Sequence, residues 1–304
     1  EVGNANYLWI SYFYAYLNDH GRAGFVMASS ATDSANKDRD IREKLVRTGD
    51  VDVMVSVGNN FFYTLSLPCS LWFFDRNKNA DIRDKVLFID ARNYYTVVDR
   101  TLNEWTEWQL RNLQAIVHLY RGETDKYKSL IKDYWTAIHE HVEKHDSMAW
   151  HESDMSFEKA LGILNSEESL YKELLKRQQT ELKSTKGKKE KDELKSLISA
   201  NEAELELTLA TKAMVTEAVW LVSKFGEEGK YENVLGLCKI ATTQEIEEKN
   251  YSLTPGAYVG VAEQEDDGVD FHERMNEIHV KLAKLNQEAN VLMDEIQKAW
   301  EELK

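Results

Sequence analysis

The pattern of the sequence changes near residue 100, and this change restricts the possible folds more than any other feature. Before it, short apolar runs of strand length alternate with stretches of helical spacing, which is typical of an α/β architecture. After it, the pattern is helical almost throughout. Only Pro68 and Pro255 interrupt 304 residues, whereas an all-β sandwich or barrel needs many turn breakers. The sequence therefore predicts an α/β fold followed by an α-helical part.

The first hundred residues predict two helices and four strands. The helices are expected at 7–17, an aromatic and largely apolar run that predicts a buried helix, and at 34–48. The strands are expected at 23–28, 51–57, 67–74 and 85–90, the first of them buried. Valines alternate strictly along 51–57, which is the signature of a strand. Pro68 belongs at a strand start or at an edge, because proline cannot donate a ladder hydrogen bond.

The remaining residues predict long helices. They are expected at 104–120, 125–145, 157–185 and 188–225, the last with or without a break. The lysine-rich stretch 183–191 around Gly187 predicts an exposed hairpin tip between the last two. A basic stretch this short in an acidic region is typical of a solvated surface rather than a nucleic-acid site. Residues 250–270 predict one long irregular segment, which holds the acidic cluster Glu263, Glu265, Asp266 and Asp267.

The last helix carries the clearest periodicity in the chain. Its apolar residues step alternately by four and three over four heptads, as in a coiled-coil seam. They are Phe271, Met275, Ile278, Leu282, Leu285, Ala289, Leu292, Ile296, Ala299 and Leu303. The seam predicts a helical partner. Periodicity alone favours neither an antiparallel helix of this chain nor a helix of another subunit.

Charge and cysteine content narrow the function classes. The formal net charge is −15, of which about −1 lies in residues 1–100 and about −14 in the rest. Because nucleic-acid backbones are bound by positive charge, only the first part remains a candidate for DNA contact, if its basic residues cluster. Cys69 and Cys238 cannot form a disulfide framework or a cysteine zinc site. No apolar run reaches the ~18 residues of a membrane span, and no signal peptide is recognisable, so we expect a cytoplasmic protein.

Motifs for catalysis are scarce. The sequence contains no GxGxxG, Walker loop, GxSxG or HExxH. His139, His141 and His145 form one histidine cluster, in which 141 and 145 share a helix face and could ligate a metal. A solvated helix end explains the cluster equally well, and we predict no metal site. Neither cysteine has a neighbouring histidine, so the sequence alone names no enzyme.

Several segments carry a family resemblance. The runs GRAGFVMASSATDS, DIREKLVRTGDVDVMVSVGNNFFYTLSLPCSLWFF and KVLFIDAR, then WTEWQLRNLQAIVHLYRGE and the tail SLTPGAYVGVAEQEDDG, resemble the modification subunit of type I restriction–modification systems. Those subunits are adenine-N6 DNA methyltransferases that use S-adenosylmethionine. Residues 123–230 resemble the family only in helical character.

The resemblance implies that this chain is the C-terminal part of such a subunit. The family's glycine-containing cofactor loop and its Asn-Pro-Pro-aromatic catalytic motif are both missing from the sequence. We therefore expect no catalytic residue, no cofactor-binding residue and no bound S-adenosylmethionine in this chain, which would be inactive alone. Strands 23–28, 51–57 and 67–74 would be the last three of a seven-stranded Rossmann-like sheet, with the final strand antiparallel between the other two.

The resemblance also assigns roles to the remaining parts. The loop 58–66 would supply an aromatic residue that stacks on the flipped target adenine, and Phe62 matches that position. Of the adjacent Phe61 and Phe62, one should pack and one should be exposed, because neighbouring strand residues point to opposite faces. Plugging the end of the sheet is the alternative role for either ring.

Partners and domains follow from the same resemblance. The seam residues Phe271, Met275, Ile278, Leu282, Leu285, Leu292 and Ile296 would dock the specificity subunit, in a complex that also contains a restriction subunit and duplex DNA. The expected domains are 1–100, a methyltransferase part; 101–250, a helical domain with a long hairpin; and 251–304, the docking segment. The alternative is a non-catalytic interaction module whose helical arm docks a partner protein.

Overall fold

The computed structural model describes residues 5–145, 147–151, 153–262 and 271–302. The helices are α1 Ala5–Ala15, α2 Lys37–Arg47, α3 Glu107–Tyr120, α4 Thr124–Val142, α5 Phe157–Ser184, α6 Lys188–Phe225, α7 Thr243–Glu248, α8 Gly256–Val259 and α9 Phe271–Glu302. The strands are β1 Arg22–Ala28, β2 Val51–Val57, β3 Cys69–Asp75, β4 Lys85–Asp90, β5 Thr96–Val97, β6 Asn103–Glu104 and β7 Cys238–Thr242. Within these residues no helix is long and apolar enough to span a membrane.

Five strands form one mixed sheet in the order β1-β3-β2-β4-β7. Strand β3 is antiparallel to both β1 and β2, between which it lies, as the family resemblance implied for strands 23–28, 51–57 and 67–74. Strand β4 is parallel to β2, and β7 is antiparallel to β4. Pro68 directly precedes β3, where its missing donor costs no ladder hydrogen bond.

Both faces of the sheet are covered by helices. Alternate residues of β2 face opposite ways: Met54 packs with α1, α2 and residues 251–259, whereas Val53 and Val55 pack with α3, α4, α5 and α6. This double burial explains why nearly all of β2 is buried. Strand β1 corrects the sequence expectation of a buried strand. It lies at the end of the sheet order, and its side chains are alternately exposed and half-buried.

The segment after residue 250 is more ordered than the sequence predicted. It contains α8, and Leu253 and Tyr258 are buried against the sheet. The buried Arg42 guanidinium fastens it, because it donates to the Tyr251 carbonyl at 2.5 Å and to the Tyr7 hydroxyl at 2.8 Å. The acidic cluster Glu263, Glu265, Asp266 and Asp267 lies outside the described residues.

Helices α5 and α6 form a long antiparallel hairpin. Helix α6 runs without a break for 38 residues, and residues 185–187 connect it to α5, as expected for a tip around Gly187. The hairpin base belongs to the main core through Phe157, Leu164 and Leu221.

The chain divides into two units, Glu1–Val261 and Ala262–Lys304. The second unit contains α9, a single helix of 32 residues. The three-domain division at residues 100 and 250 stays a prediction.

Candidate functional site

The loop between β2 and β3 begins in a fixed position. A Cβ atom at Gly58 would lie 2.7 Å from the Arg92 carbonyl oxygen, so only glycine permits this close approach. Asn60 has φ 65°, a left-handed conformation that asparagine tolerates better than most residues. Asn103 donates its backbone N–H to the Asn60 carbonyl at 2.7 Å and its side-chain amide to the Asn59 carbonyl at 3.0 Å. The first residues of the loop are thereby held against the segment after β4.

Phe61 and Phe62 lie in different environments, which confirms the expected division. The Phe61 ring packs against Trp105, with centroids 5.0 Å apart, and against Tyr95 at 5.9 Å. Phe62 is 39% exposed. Because Phe61 is anchored, the next residue is directed away from the protein interior, beyond the carboxyl end of β2. The role of Phe62 in stacking stays a prediction.

Phe62 borders an apolar cavity of about 450 Å³. Its wall is formed by α1, by the end of β1 and by the loop itself. The lining residues are Asn6, Trp9, Phe13, Val26, Met27, Ala28, Phe62, Leu65, Leu67, Pro68 and Cys69. Burial raises the pKa of the Cys69 thiol, so the thiol is neutral at physiological pH. The cavity offers aromatic and aliphatic surface to a flat, uncharged group.

The cavity does not fit S-adenosylmethionine. Apart from the Trp9 indole N–H, the only polar side-chain groups in its lining are the Asn6 amide and the neutral Cys69 thiol. Neither matches the charged amino, carboxylate and sulfonium groups of that molecule, which need charged or multiple polar partners.

The basic residues near the sheet cluster at the opposite end, where β2 begins and β3 ends. Arg121 pairs with Asp52, Arg83 with Asp50 at 3.2 Å, and Arg22 with Asp75 at 2.7 Å. The Lys78 amine is buried and donates to the Val51 and Lys85 carbonyls at 2.8 and 2.5 Å. Burial lowers the pKa of Lys78 to about 8. This basic cluster, which combines Arg22, Lys78 and Arg83 with Arg121 from beyond residue 100, has carboxylate partners for its arginines, and it lies at the opposite end of β2 from the loop that contains Phe62.

The histidine cluster joins three helices. His141 of α4 is buried, with Nε2 3.0 Å from a Glu167 carboxylate oxygen of α5 and Nδ1 3.1 Å from the Thr211 hydroxyl of α6. His145 lies 3.0 Å from Glu204 of α6. The solvated-end interpretation is therefore wrong for His141, although His139 is exposed. Across the described residues, no three His, Cys, Asp or Glu side chains are grouped to hold a metal ion.

The predicted docking residues of α9 are exposed wherever their side chains are described. Met275, Ile278, Leu282, Leu285, Leu292 and Ile296 expose between 37% and 65% of their surface. Phe271 begins the helix, but its side chain lies outside the described part, as does Leu303. Their role in docking stays a prediction.

Sequence reasoning missed the walls of the cavity and the anchors of the loop. The prediction of a buried helix at 7–17 is wrong, because α1 buries only Tyr7 and Ile10 and leaves Trp9, Tyr12 and Phe13 exposed. Residues 7–17 contain more aromatic side chains than one buried helix face can hold, and this excess was the sequence signal for an exposed apolar surface. Asn103 and Trp105 lie about 45 residues beyond the loop, and no local pattern connects them to it.

Comparison with known proteins gives a consistent result. Residues 1–148 match the N-6 DNA Methylase family. The type I restriction enzyme MjaIX methylase subunit of Methanocaldococcus jannaschii is 27% identical over 301 residues, which cover 99% of this chain and 35% of the relative. The type I restriction enzyme HindI methylase subunit of Haemophilus influenzae is 23% identical, covering 97% of this chain and 43% of the relative.

This chain thus spans about two fifths of the length of these curated relatives. A further match is a chain from a structural study of complex assembly and conformational transition of the type I R-M system. The match covers 100% of the present chain and 41% of the solved chain. The TM-score is 0.41 and the identity is 10%.

Proposed function

We propose that this chain, whose residues 1–148 match the N-6 DNA Methylase family, is the C-terminal part of a type I modification subunit. The full subunit would methylate adenine N6 in duplex DNA in the cytoplasm. Similarity to type I methylase subunits along almost the whole chain supports this proposal. The position of β3, antiparallel between β1 and β2, supports the assignment of these strands to the end of a Rossmann-like sheet.

The exposed ring of Phe62 beside an apolar cavity carries the proposal. An enzyme that modifies a base in a duplex must rotate the base out of the stack, and an aromatic side chain can replace the lost stacking. Such a contact contributes ~1–3 kcal/mol per base. Because Asn103 and Trp105 hold the start of the loop, Phe62 meets the base with little ordering cost.

Methyl transfer itself requires parts that this sequence lacks. S-adenosylmethionine supplies the methyl group when it is bound to the full subunit. Its binding loop and the Asn-Pro-Pro-aromatic motif would lie in the part of the subunit represented by the remaining length of the relatives. Residues 5–100 would contribute the base-stacking wall, so the 304-residue chain alone would be inactive.

Helix α9 would dock the specificity subunit, in a complex that also holds a restriction subunit. Its seam is apolar over four heptads, and the described seam residues are exposed, which supports burial against a partner helix. We assign residues 1–100 to the methyltransferase part, 101–250 to the helical domain and 251–304 to docking. The alternative is a non-catalytic module that uses the same helix to bind a partner.

The deciding experiment compares the full-length subunit with this chain. Each is purified with its specificity subunit and incubated with duplex DNA and labelled S-adenosylmethionine, and N6-methyladenine is measured by mass spectrometry. We expect methylation by the full-length complex and none by the complex of the 304-residue chain. Absence of methylation by the full-length complex would favour the interaction module. Methylation by the short chain would contradict the division of roles proposed here.

A further inference from the structure

The hairpin of α5 and α6 extends far beyond the sheet, and its direction can be read from the contacts of α6. Near its C-terminal end, the Gly226 carbonyl accepts from Tyr127 at 2.7 Å, close to Arg121, which pairs with Asp52 where β2 begins. Further back, Glu217 accepts from the Tyr94 hydroxyl at 2.5 Å and from Gln109 at 3.0 Å. Tyr94 follows the carboxyl end of β4. Traced from its C-terminus back to its N-terminus, α6 therefore runs from the level of the amino ends of β2 and β4 to the level of their carboxyl ends.

The hairpin continues past that level as an arm. From Glu217 to Lys188, the first residue of α6, there are 29 residue steps, which at ~1.5 Å each extend about 44 Å. Helix α5 accompanies α6 along this length: the Asn201 side-chain amide donates to Oε1 of Gln178 at 3.0 Å, and Leu175 and Ile198 are buried. The arm tip, residues 183–191, therefore projects beyond the edge of the sheet that carries Phe62.

The base of the arm lies beside the loop that contains Phe62. Trp220 of α6 stacks on Tyr94 with ring centroids 4.1 Å apart. The next residue, Tyr95, contacts Phe61, the neighbour of Phe62, at 5.9 Å. The arm therefore rises beyond the same edge of the sheet as the loop that contains Phe62, whereas α1, which walls the cavity beside Phe62, covers the opposite face of the sheet.

The arm tip is positively charged in a strongly acidic chain. Residues 183–191 contain five lysines and one glutamate, a net charge of +4, whereas residues 192–210 carry −4. In the described residues, no carboxylate lies within ion-pair distance of Lys183, Lys186 or Lys188. Lys189 approaches Glu193 only at 3.8 Å, with both side chains largely exposed. Exposed pairs of this kind contribute little, so the lysine charges remain available.

The one acidic residue of the tip does not neutralise these lysines. A Cβ atom at Gly187 would lie 2.7 Å from a Glu190 carboxylate oxygen. The Glu190 carboxylate is thus folded over the first turn of α6, where it meets the positive end of the helix dipole.

We propose that the arm tip binds the phosphate backbone of the target duplex at a distance from the target base. This inference rests on the proposed function, because it takes the ligand at Phe62 to be DNA. Lysine ammonium groups bind phosphates without reading sequence, and the high charge density of DNA favours a compact positive cluster. The acidic stem would keep the remainder of the arm away from DNA, so that contact is confined to the tip.

The test uses the full-length subunit in complex with its specificity subunit and a duplex that contains the recognition site. In the tip variant, Lys183, Lys186, Lys188 and Lys189 are replaced by Gln. A matched control replaces four exposed lysines elsewhere, Lys126, Lys128, Lys132 and Lys230, by Gln. A third variant carries Arg at the four tip positions. The DNA dissociation constant is measured across a range of salt concentrations.

The logarithm of the DNA association constant decreases linearly with the logarithm of the salt concentration. For the tip variant, we expect this decrease to be less steep by about 0.9 for each lost phosphate contact, up to ~3.6 for four. At moderate salt, DNA should bind at least tenfold more weakly, and the Arg variant should behave like the unmodified complex. If the tip and control variants show the same DNA affinity and the same salt dependence, and the complex still methylates DNA, the arm-tip proposal is overturned although the proposed function stands. If the tip variant instead loses its binding to the specificity subunit and keeps its affinity for DNA, the proposal is also overturned. The tip lysines would then bind an acidic surface of that subunit. If the unmodified complex neither binds nor methylates DNA, the proposed function fails as well.

Discussion

Phe61 and Phe62 are adjacent and carry the same side chain, but they lie in different environments. Phe61 lies between Trp105 and Tyr95, so its contribution is to packing. Phe62 borders the cavity, so its contribution can be to a ligand. The two rings lie in a bent loop rather than in a strand, so the anchoring of Phe61 by Trp105 and Tyr95, not strand alternation, separates their environments.

Replacing Phe62 by Ala should slow methylation of fully paired DNA by the full-length complex. Loss of one stacking partner costs ~1–3 kcal/mol, a roughly 5- to 150-fold lower rate, whereas affinity for S-adenosylmethionine should change little. The loss should be smaller when the target adenine lies opposite a mismatch, because such a base costs less to flip. Tyr63→Ala is the matched control, since Tyr63 is 90% exposed and is not part of the cavity lining. An unchanged rate for Phe62→Ala on paired DNA would assign Phe62 to packing at the sheet end.

Lys78 predicts a dependence of stability on pH. Because burial lowers its pKa to about 8 in the folded chain, against ~10.4 when exposed, the unfolded chain binds the extra proton between these values. The free energy of unfolding should therefore rise with pH from about 8 to about 10.4, relative to a Lys78→Met variant. The full difference should be on the order of 3 kcal/mol. Urea unfolding of both proteins across this range measures it, and Lys230→Met is the exposed control. A constant difference between the two proteins would contradict the prediction.

At the scale of elements, α9 and the α5–α6 hairpin are both long helices with different partners. In the hairpin, Leu175 and Ile198 are buried between the two helices, so the chain itself provides the partner. Along α9, the described seam residues are exposed. A seven-residue apolar repeat is stable in water only when another helix covers it.

Replacing Leu282 and Leu285 by Glu should abolish assembly with the specificity subunit. The two carboxylates would enter a buried seam unpaired, which costs several kcal/mol. Ala283→Glu with Gln287→Glu adds the same charge off the seam, so this control should still assemble. Co-purification measures assembly, and circular dichroism of the isolated chain should show nearly unchanged helix content. If the isolated chain unfolds when Leu282 and Leu285 are replaced, the seam packs against another part of the same chain, and the docking proposal is contradicted.

At the scale of the whole molecule, the sheet ends in an edge next to an exposed apolar surface. Strand β1 pairs only with β3 in the described sheet, and its Val26 is 52% exposed. Leu8, Trp9 and Phe13 of α1 and Leu65 and Leu67 of the loop are also exposed. An open edge and an apolar patch of this kind favour association with another chain.

The 304-residue chain should therefore self-associate in solution, and Val26→Lys should reduce this association. A lysine at the edge opposes strand pairing because its charge would have to be desolvated. Val97→Lys is the control, because Val97 is equally apolar and exposed but lies in the two-stranded sheet of β5 and β6. Light scattering over a concentration series measures both variants. A dilute, monodisperse monomer of the unmodified chain would contradict the prediction.

The individual elements could be predicted from local patterns. The alternating valines of β2, the closing Gly21 after α1 and the heptads of α9 each encode an element within one short window, because side-chain periodicity follows backbone geometry. Strand β7 could not be found in this way. Its five residues, Cys238–Thr242, become a strand by pairing with β4, which lies about 150 residues earlier.

The features of the candidate site also fall into two groups, those predicted from the sequence and those that depend on tertiary contacts. The sequence and its family resemblance identified Phe62 and the expected exposure of one of two phenylalanines. The cavity beside Phe62 depended on α1, β1 and the loop meeting in space, and the environment of His141 depended on Glu167 and Thr211 from two other helices. The lysine tip was visible as a solvated stretch, but its direction past Phe62 follows from contacts of Glu217, Trp220 and Gly226. Such contacts join residues far apart in the chain, and packing free energy, not local propensity, selects them.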